Sequence, residues 1–250
     1  MTAASRPVTE VVVGVVIDAV RGRYLMSSRP AGKPYAGYWE FPGGKIEAGE
    51  GALEALTREL SEELSVTVTR AVPWFTLEHD YPHAYVRLHY WRVTAFDGAL
   101  KPLEGQQYEW FALGRWEEDR PMLPMNAMVV RRLALPEVVA CVTRSVSEEN
   151  LKALSRAGVR GVVWAQEVHR AVAETVAQRL GVPCREIALA RLSDFCRDDE
   201  AAGDAALVPA SETERFLQAA THGLPLYVFG RPEELDRLQQ RGAHGVAIAA

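Results

Sequence analysis

Three glutamates, Glu59, Glu62 and Glu63, follow one another at i, i+3 and i+4 in the run Glu50-Gly-Ala-Leu-Glu-Ala-Leu-Thr-Arg58-Glu59-Leu-Ser-Glu62-Glu63-Leu64. On a helix that spacing projects three carboxylates from one face. Like charges so placed destabilise a helix by roughly 0.2–0.5 kcal/mol per pair unless something offsets them. A divalent cation would. Oxygen donors with no His or Cys among them suit Mg²⁺, with Mn²⁺ as second choice, shared between carboxylates and substrate phosphates. From the run alone, the alternative is a solvated acidic helix face.

Such chemistry needs the helix fixed against a sheet. Leu53, Leu56, Leu60 and Leu64 recur at helical spacing, so a helix is predicted over 50–64 with this leucine seam packed on strands. Residues 11–17 form a β-branched run expected of a buried strand, and 23–27 read as its hairpin partner after a turn at 18–22. Residues 86–96, rich in aromatic and β-branched side chains, end at the turn signal Asp97-Gly98. After Leu133-Ala-Leu-Pro-Glu137 the rhythm changes. Strands are predicted at 138–143, 159–164, 183–188, 206–209, 225–229 and 245–249, alternating with helices at 147–157, 167–180, 211–221 and 232–241, a parallel α/β pattern. The expected organisation is a first domain over 1–132, a linker at 133–137 and a second domain over 138–250.

Composition narrows the function classes. With 250 residues, 48% apolar, 24% charged and a net charge of −5, the chain is globular and mildly acidic. A nucleic-acid polymer is therefore not the expected partner. No uninterrupted apolar run approaches about 18 residues, so no membrane span is expected, and MTAASRPVTE lacks the apolar core of a signal peptide. Cys141, Cys184 and Cys196 are odd in number and contain no CxxC pair, which fits reduced thiols in a cytoplasmic protein. His79, His83 and His89, separated by 4 and 6 residues across Pro82, match no standard metal spacing.

The segment from Gly44 to Val66 resembles the signature of the Nudix hydrolase family, G-x5-E-x7-R-E-U-x-E-E-x-G-U with U apolar. Gly44, Glu50, Arg58, Glu59, Leu60, Glu62, Glu63 and Val66 match it, and Ser65 stands where the family has Gly. The resemblance implies an α/β/α sandwich with a mixed sheet and hydrolysis of a nucleoside diphosphate linked to another moiety. It implies metal binding by Glu59, Glu62, Glu63 and the Gly44 carbonyl. Arg58 and Glu50 become an ion pair orienting those carboxylates, and Glu59 becomes the acceptor of the attacking water's proton.

The likeness extends to the MutT subgroup, which removes oxidised purine nucleoside triphosphates. Trp39-Glu-Phe41-Pro-Gly-Gly44-Lys45-Ile-Glu47 resembles that subgroup's entry to the helix, and Leu103-Glu104-Gly105-Gln106 its loop bearing a further metal-side glutamate, Glu104. Asn126 falls where the subgroup places an Asn that reads the oxidised guanine edge, and an Asn presents donor and acceptor together. Its alternative role is to cap the following helix. Arg29 and Lys45 are then expected at the phosphates, with Phe41 and Tyr81 shaping the base pocket. Phe41 could equally be a core aromatic. ADP-ribose, dinucleoside polyphosphates and thiamine diphosphate remain alternative substrates, and a non-hydrolytic nucleotide sensor the alternative class.

Residues 138–250 resemble, through Leu224 to Ala249, the C-terminal part of a thiamine phosphate synthase-like barrel. A complete eight-stranded barrel needs roughly 200 residues or more, so a shortened α/β domain is expected, acting in stability or as a homodimer surface. Arg144, Trp164, His169 and Arg231 are its candidate anion-facing residues.

Overall fold

A strand buried on both faces needs an almost unbroken apolar run, and β1 (Val8–Asp18) has one in Val-Val-Val-Gly-Val-Val-Ile. The computed structural model describes residues 7–117, 119–142, 145–164, 169–186, 188–189, 205–208 and 225–250. The chain divides into two units, Met1–Ala134 and Leu135–Ala250.

In the first unit β1 is central. Its far end pairs antiparallel with β2 (Arg23–Ser28), and its near end with β4 (Gly43–Lys45). Asp18 shapes the β1–β2 turn by accepting from the Arg21 amide at 3.1 Å. On its other side β1 pairs parallel with β6 (Ala84–Asp97), which forms a long hairpin with β5 (Thr67–Tyr81). The order is β3-β2-β1-β6-β5, where β3 is Trp39–Glu40, and β7 (Tyr108–Ala112) also pairs with β2. The sheet is thus mixed.

Helix α1 (Ala52–Leu64) lies on one face, burying Ala55, Leu56, Leu60 and Leu64 against Val12, Val16, Leu25 and Val93. Helix α2 (Pro124–Arg132) lies on the other, where Met125, Val129 and Val130 join Val13, Val15, Tyr24 and Tyr90. The result is the expected α/β/α sandwich. Two details correct the sequence reading. The helix begins at Ala52, after Gly51, whose amide is capped by Glu54 Oε2 at 2.8 Å. Leu53 is not part of the seam: it falls in the first turn and is 46% exposed, because the helix meets the sheet only from Ala55 onward.

The second unit is a parallel sheet in the order β10-β9-β8-β14-β13-β12-β11. Its strands are β8 (Val138–Cys141), β9 (Gly161–Trp164), β10 (Cys184–Glu186), β11 (Ala188–Leu189), β12 (Ala206–Val208), β13 (Leu226–Phe229) and β14 (Ala243–Ala249). The two ends of this order, β10 and β11, are one residue apart in the chain. Their facing ends, Glu186 and Ala188, therefore lie within about 7.6 Å of each other. β10 pairs with β9 and β11 with β12, so the parallel sheet curls into a half-barrel.

Alternation along the strands gives two sets of side chains. Val139, Cys141, Val163, Leu207, Tyr227 and Ala247 form one cluster. The intervening residues Ala140, Val162 and Trp164 pack on α3 (Glu148–Arg156) and α4 (Arg170–Leu180), while Ala206, Val228 and Val246 pack with Leu238 of α5 (Leu235–Gln240). Ser147 caps α3 by accepting from the Asn150 amide at 3.2 Å. The helix predicted at 211–221, Arg144 and Cys196 lie outside the described residues.

Candidate active site

The acidic face of α1 is organised by one arginine. Arg58 donates to both oxygens of Glu50 at 2.9 Å, to Glu59 Oε1 at 2.9 Å, to Glu62 Oε2 at 3.4 Å and to the Lys45 carbonyl at 3.0 Å. Bidentate pairing of this kind fixes orientation as well as charge. The bonds to Glu50 and Glu59 raise the Arg58 pKa, and the same pair lowers that of Glu50. The loop leading into α1 is thereby tied to the side of the helix that bears the carboxylates.

Gly44 is required by proximity. A Cβ there would lie 2.3 Å from the Glu59 carboxylate, so the β4 backbone and that side chain are in direct apposition. Glu63 turns the other way and accepts the Gly43 amide at 3.1 Å. Burial pushes its pKa up to about 8; the amide bond opposes this, and the charges of Glu40, Glu104 and Glu59 add to it.

Glu104 arrives from a loop clamped to the end of α1. The Leu103 amide donates to the Glu63 carbonyl at 3.0 Å, and Gln106, buried, donates to the same carbonyl at 2.8 Å while accepting the Glu104 amide at 2.8 Å. The structure thus gathers Gly44, Glu59, Glu63 and Glu104 around the helix, with Glu62 more exposed at its rim. Among the described residues no three of these carboxylates converge in ligating geometry, since Glu59 and Glu62 engage Arg58 and Glu63 the amide. The donors are nonetheless of the type a hard divalent cation requires, and half-buried Glu63 stands among the like charges of Glu40, Glu104 and Glu59.

The other expected site residues fall into two groups. Arg29 pairs with Glu40 and donates to the Pro34 carbonyl at 2.7 Å. Tyr81 is buried near that pair: its pKa is pushed up to about 12 by burial, then by Tyr35 and Glu40, with Arg29 opposing. Lys45 is exposed beside the Arg58 contact. Phe41 is 4% exposed and its ring lies 5.8 Å from that of Tyr24, so it is a core aromatic. Asn126 is 5% exposed, with Nδ2 3.5 Å from the Trp39 carbonyl. It does not cap α2: Leu123 holds the cap position and Pro124 the first turn, leaving Asn126 inside the helix.

Two polar residues at this centre were absent from the sequence-derived set. Glu40 was legible, since it lies inside Trp39-Glu-Phe41-Pro. Lys33, whose ammonium donates to Glu104 Oε2 at 2.7 Å, carries no local signal, being one lysine in a turn-rich loop 71 residues from its partner.

Comparison with known proteins identifies the family. The NUDIX domain model matches residues 8–131. The 8-oxo-dGTP diphosphatase of Escherichia coli (strain K12) is 34% identical over 125 residues, covering 50% of this chain and 95% of that protein. The CTP pyrophosphohydrolase of the same organism is 37% identical over 99 residues, 40% of this chain and 73% of that protein. The 8-oxo-dGTP diphosphatase of Proteus vulgaris is 35% identical over 95 residues, covering 38% and 84%. The chain belongs to the Nudix family and is a Nudix pyrophosphohydrolase.

Proposed function

We propose that the chain is a Mg²⁺-dependent nucleoside triphosphate pyrophosphohydrolase that converts oxidised purine nucleotides such as 8-oxo-dGTP to the monophosphate and pyrophosphate. The observation carrying this is the carboxylate set on and beside α1, with half-buried Glu63 facing the charges of Glu40, Glu59 and Glu104. Glu59, Glu62, Glu63, Glu104 and the Gly44 carbonyl are the proposed ligands; Mn²⁺ is an acceptable substitute. When bound, such a cation polarises the phosphates and lowers the pKa of the attacking water.

Arg58, held by Glu50, fixes Glu59 through Oε1. Glu59 Oε2 is then the atom proposed to accept the water's proton. Arg29 and Lys45 face the phosphates, and Tyr81 and Asn126 shape the base side. The purine preference follows the relatives named 8-oxo-dGTP diphosphatase, and the CTP pyrophosphohydrolase relative supports a second reading, a pyrimidine triphosphate. We place the enzyme in the cytoplasm, in keeping with the absence, among the described residues, of a helix long and apolar enough to cross a membrane. For the second unit, the curled parallel sheet supports a shortened thiamine phosphate synthase-like barrel acting as a stability or homodimer module.

The test is steady-state hydrolysis across 8-oxo-dGTP, dGTP, CTP, ADP-ribose, dinucleoside tetraphosphates and thiamine diphosphate. Preference for 8-oxo-dGTP is expected, with loss of turnover in Glu62→Gln and Glu63→Gln at saturating Mg²⁺. Full activity in those variants, or no hydrolysis of any triphosphate by the wild type, overturns the proposal.

A further inference from the structure

The loop between β2 and β3 has a rigid frame and one exchangeable charge. Its frame is closed by the Gly37 amide on the Arg29 carbonyl at 2.9 Å, the Arg29 amide on the Tyr38 carbonyl at 2.8 Å and the Arg29 side chain on the Pro34 carbonyl at 2.7 Å. Tyr35 sits at φ +60°, a conformation a tyrosine keeps only when its surroundings impose it. Its ring lies 6.2 Å from those of both Tyr81 and His83 at the tip of the β5–β6 hairpin.

Lys33 stands on this frame and reaches across to Glu104, 2.7 Å away. That bond raises the Lys33 pKa; burial opposes it, and the charges of Glu104, Glu63 and Glu40 reinforce it. The ammonium therefore faces carboxylates from three separate elements. Glu59 and Glu62 are held by an arginine and Glu63 by a backbone amide, whereas the partner of Glu104 is a lysine. Both members of this pair are exposed, 47% and 41%. Exposed pairs of this type contribute little, and a lysine is a single point charge on a flexible stem that changes partners without breaking a bidentate geometry.

We propose that Lys33 is a polyphosphate ligand held in reserve: it neutralises Glu104 in the cation-free protein and turns to a phosphate oxygen of the triphosphate once Glu104 takes the cation. The role presupposes the triphosphate hydrolysis proposed above and adds a residue to it. It makes cation and Lys33 competitors for one carboxylate, and makes the freed ammonium available beside the anion that arrives with the cation.

The test uses the full chain as wild type, Lys33→Met and Lys33→Arg. Mn²⁺ is titrated without nucleotide, and the free ion is read by electron paramagnetic resonance. Lys33→Met is expected to bind Mn²⁺ about two- to fivefold more tightly, and Lys33→Arg no more tightly than the wild type. At saturating Mg²⁺, KM for 8-oxo-dGTP is expected to rise about tenfold in Lys33→Met with kcat changed by less than about threefold, and to be largely restored in Lys33→Arg. Mn²⁺ affinity that is unchanged or weaker in Lys33→Met overturns the reserve role, and an unchanged KM overturns the phosphate role. A wild type that hydrolyses no triphosphate removes the proposed function itself; an active wild type indistinguishable from Lys33→Met removes only the assignment of Lys33.

Discussion

At the residue scale, the geometry of the proposed site is set by how closely backbone and side chain approach at Gly44. The 2.3 Å between its hypothetical Cβ and the Glu59 carboxylate is far inside contact distance, and the position that must yield is the carboxylate Arg58 holds at 2.9 Å. Gly44→Ala is therefore expected to push Glu59 off its arginine. A misplacement of about 1 Å at a reacting group costs on the order of 100-fold in rate. Since Gly44 sits at the sheet's margin and not in either apolar core, the fold should survive. The expected outcome is a kcat lower by about 100-fold with an unchanged circular dichroism spectrum. Near-wild-type kcat would mean that Glu59 does not need its present place.

At the scale of elements, α1 ends on a residue poorly suited to its conformation. Ser65 caps the helix at φ 60°, ψ 34°, with its amide on the Ser61 carbonyl at 3.0 Å, which is the left-handed geometry Gly adopts without cost. Ser65→Gly should remove that strain, less the extra freedom Gly gains in the unfolded chain, and stabilise the first unit by about 1 kcal/mol. Chemical denaturation followed by tryptophan fluorescence checks it; a destabilised variant would show that the Ser65 side chain contributes something its exposed position does not reveal.

The same helix shows what sequence could deliver. Spacing alone put three carboxylates on one face and leucines on another, because both follow from 3.6 residues per turn. Leu53 broke the pattern only because periodicity says which side faces the sheet, not where the sheet begins. β5 was harder to read. Its register shifts three times between Val68 and Phe75, so inward and outward positions do not alternate, and it carries Pro73. Proline is tolerated there because β5 lies at the sheet's edge, which no local pattern announces. The salt bridge from Lys33 to Glu104 was invisible for a different reason: it joins two loops through the fold, and neither loop encodes the other.

For the whole molecule, 250 residues resolve into two sets of cores with no member in common. Leu133 is buried in the first unit's core and Leu135 in the second's. The second unit curls a parallel sheet of seven short strands, where an eight-stranded barrel would need far more chain. Mostly small residues cluster on one face of it: Val139, Cys141, Val163 and Ala247 beside Leu207 and Tyr227.

Closure between β14 and β8 depends on Gly245, where a Cβ would lie 2.2 Å from the Glu137 carbonyl that the Val246 amide uses at 2.9 Å. Backbone cannot step aside as a flexible side chain can, so Gly245→Ala should force β14 away from β8 and cost about 2–4 kcal/mol in the second unit. Two units with separate cores are expected to unfold in separable transitions. Scanning calorimetry of Gly245→Ala should then show one transition lowered and the other in place, with kcat/KM for 8-oxo-dGTP unchanged. If both transitions fall together and hydrolysis falls with them, the second unit is a structural requirement of the catalyst and the two cores fold as one.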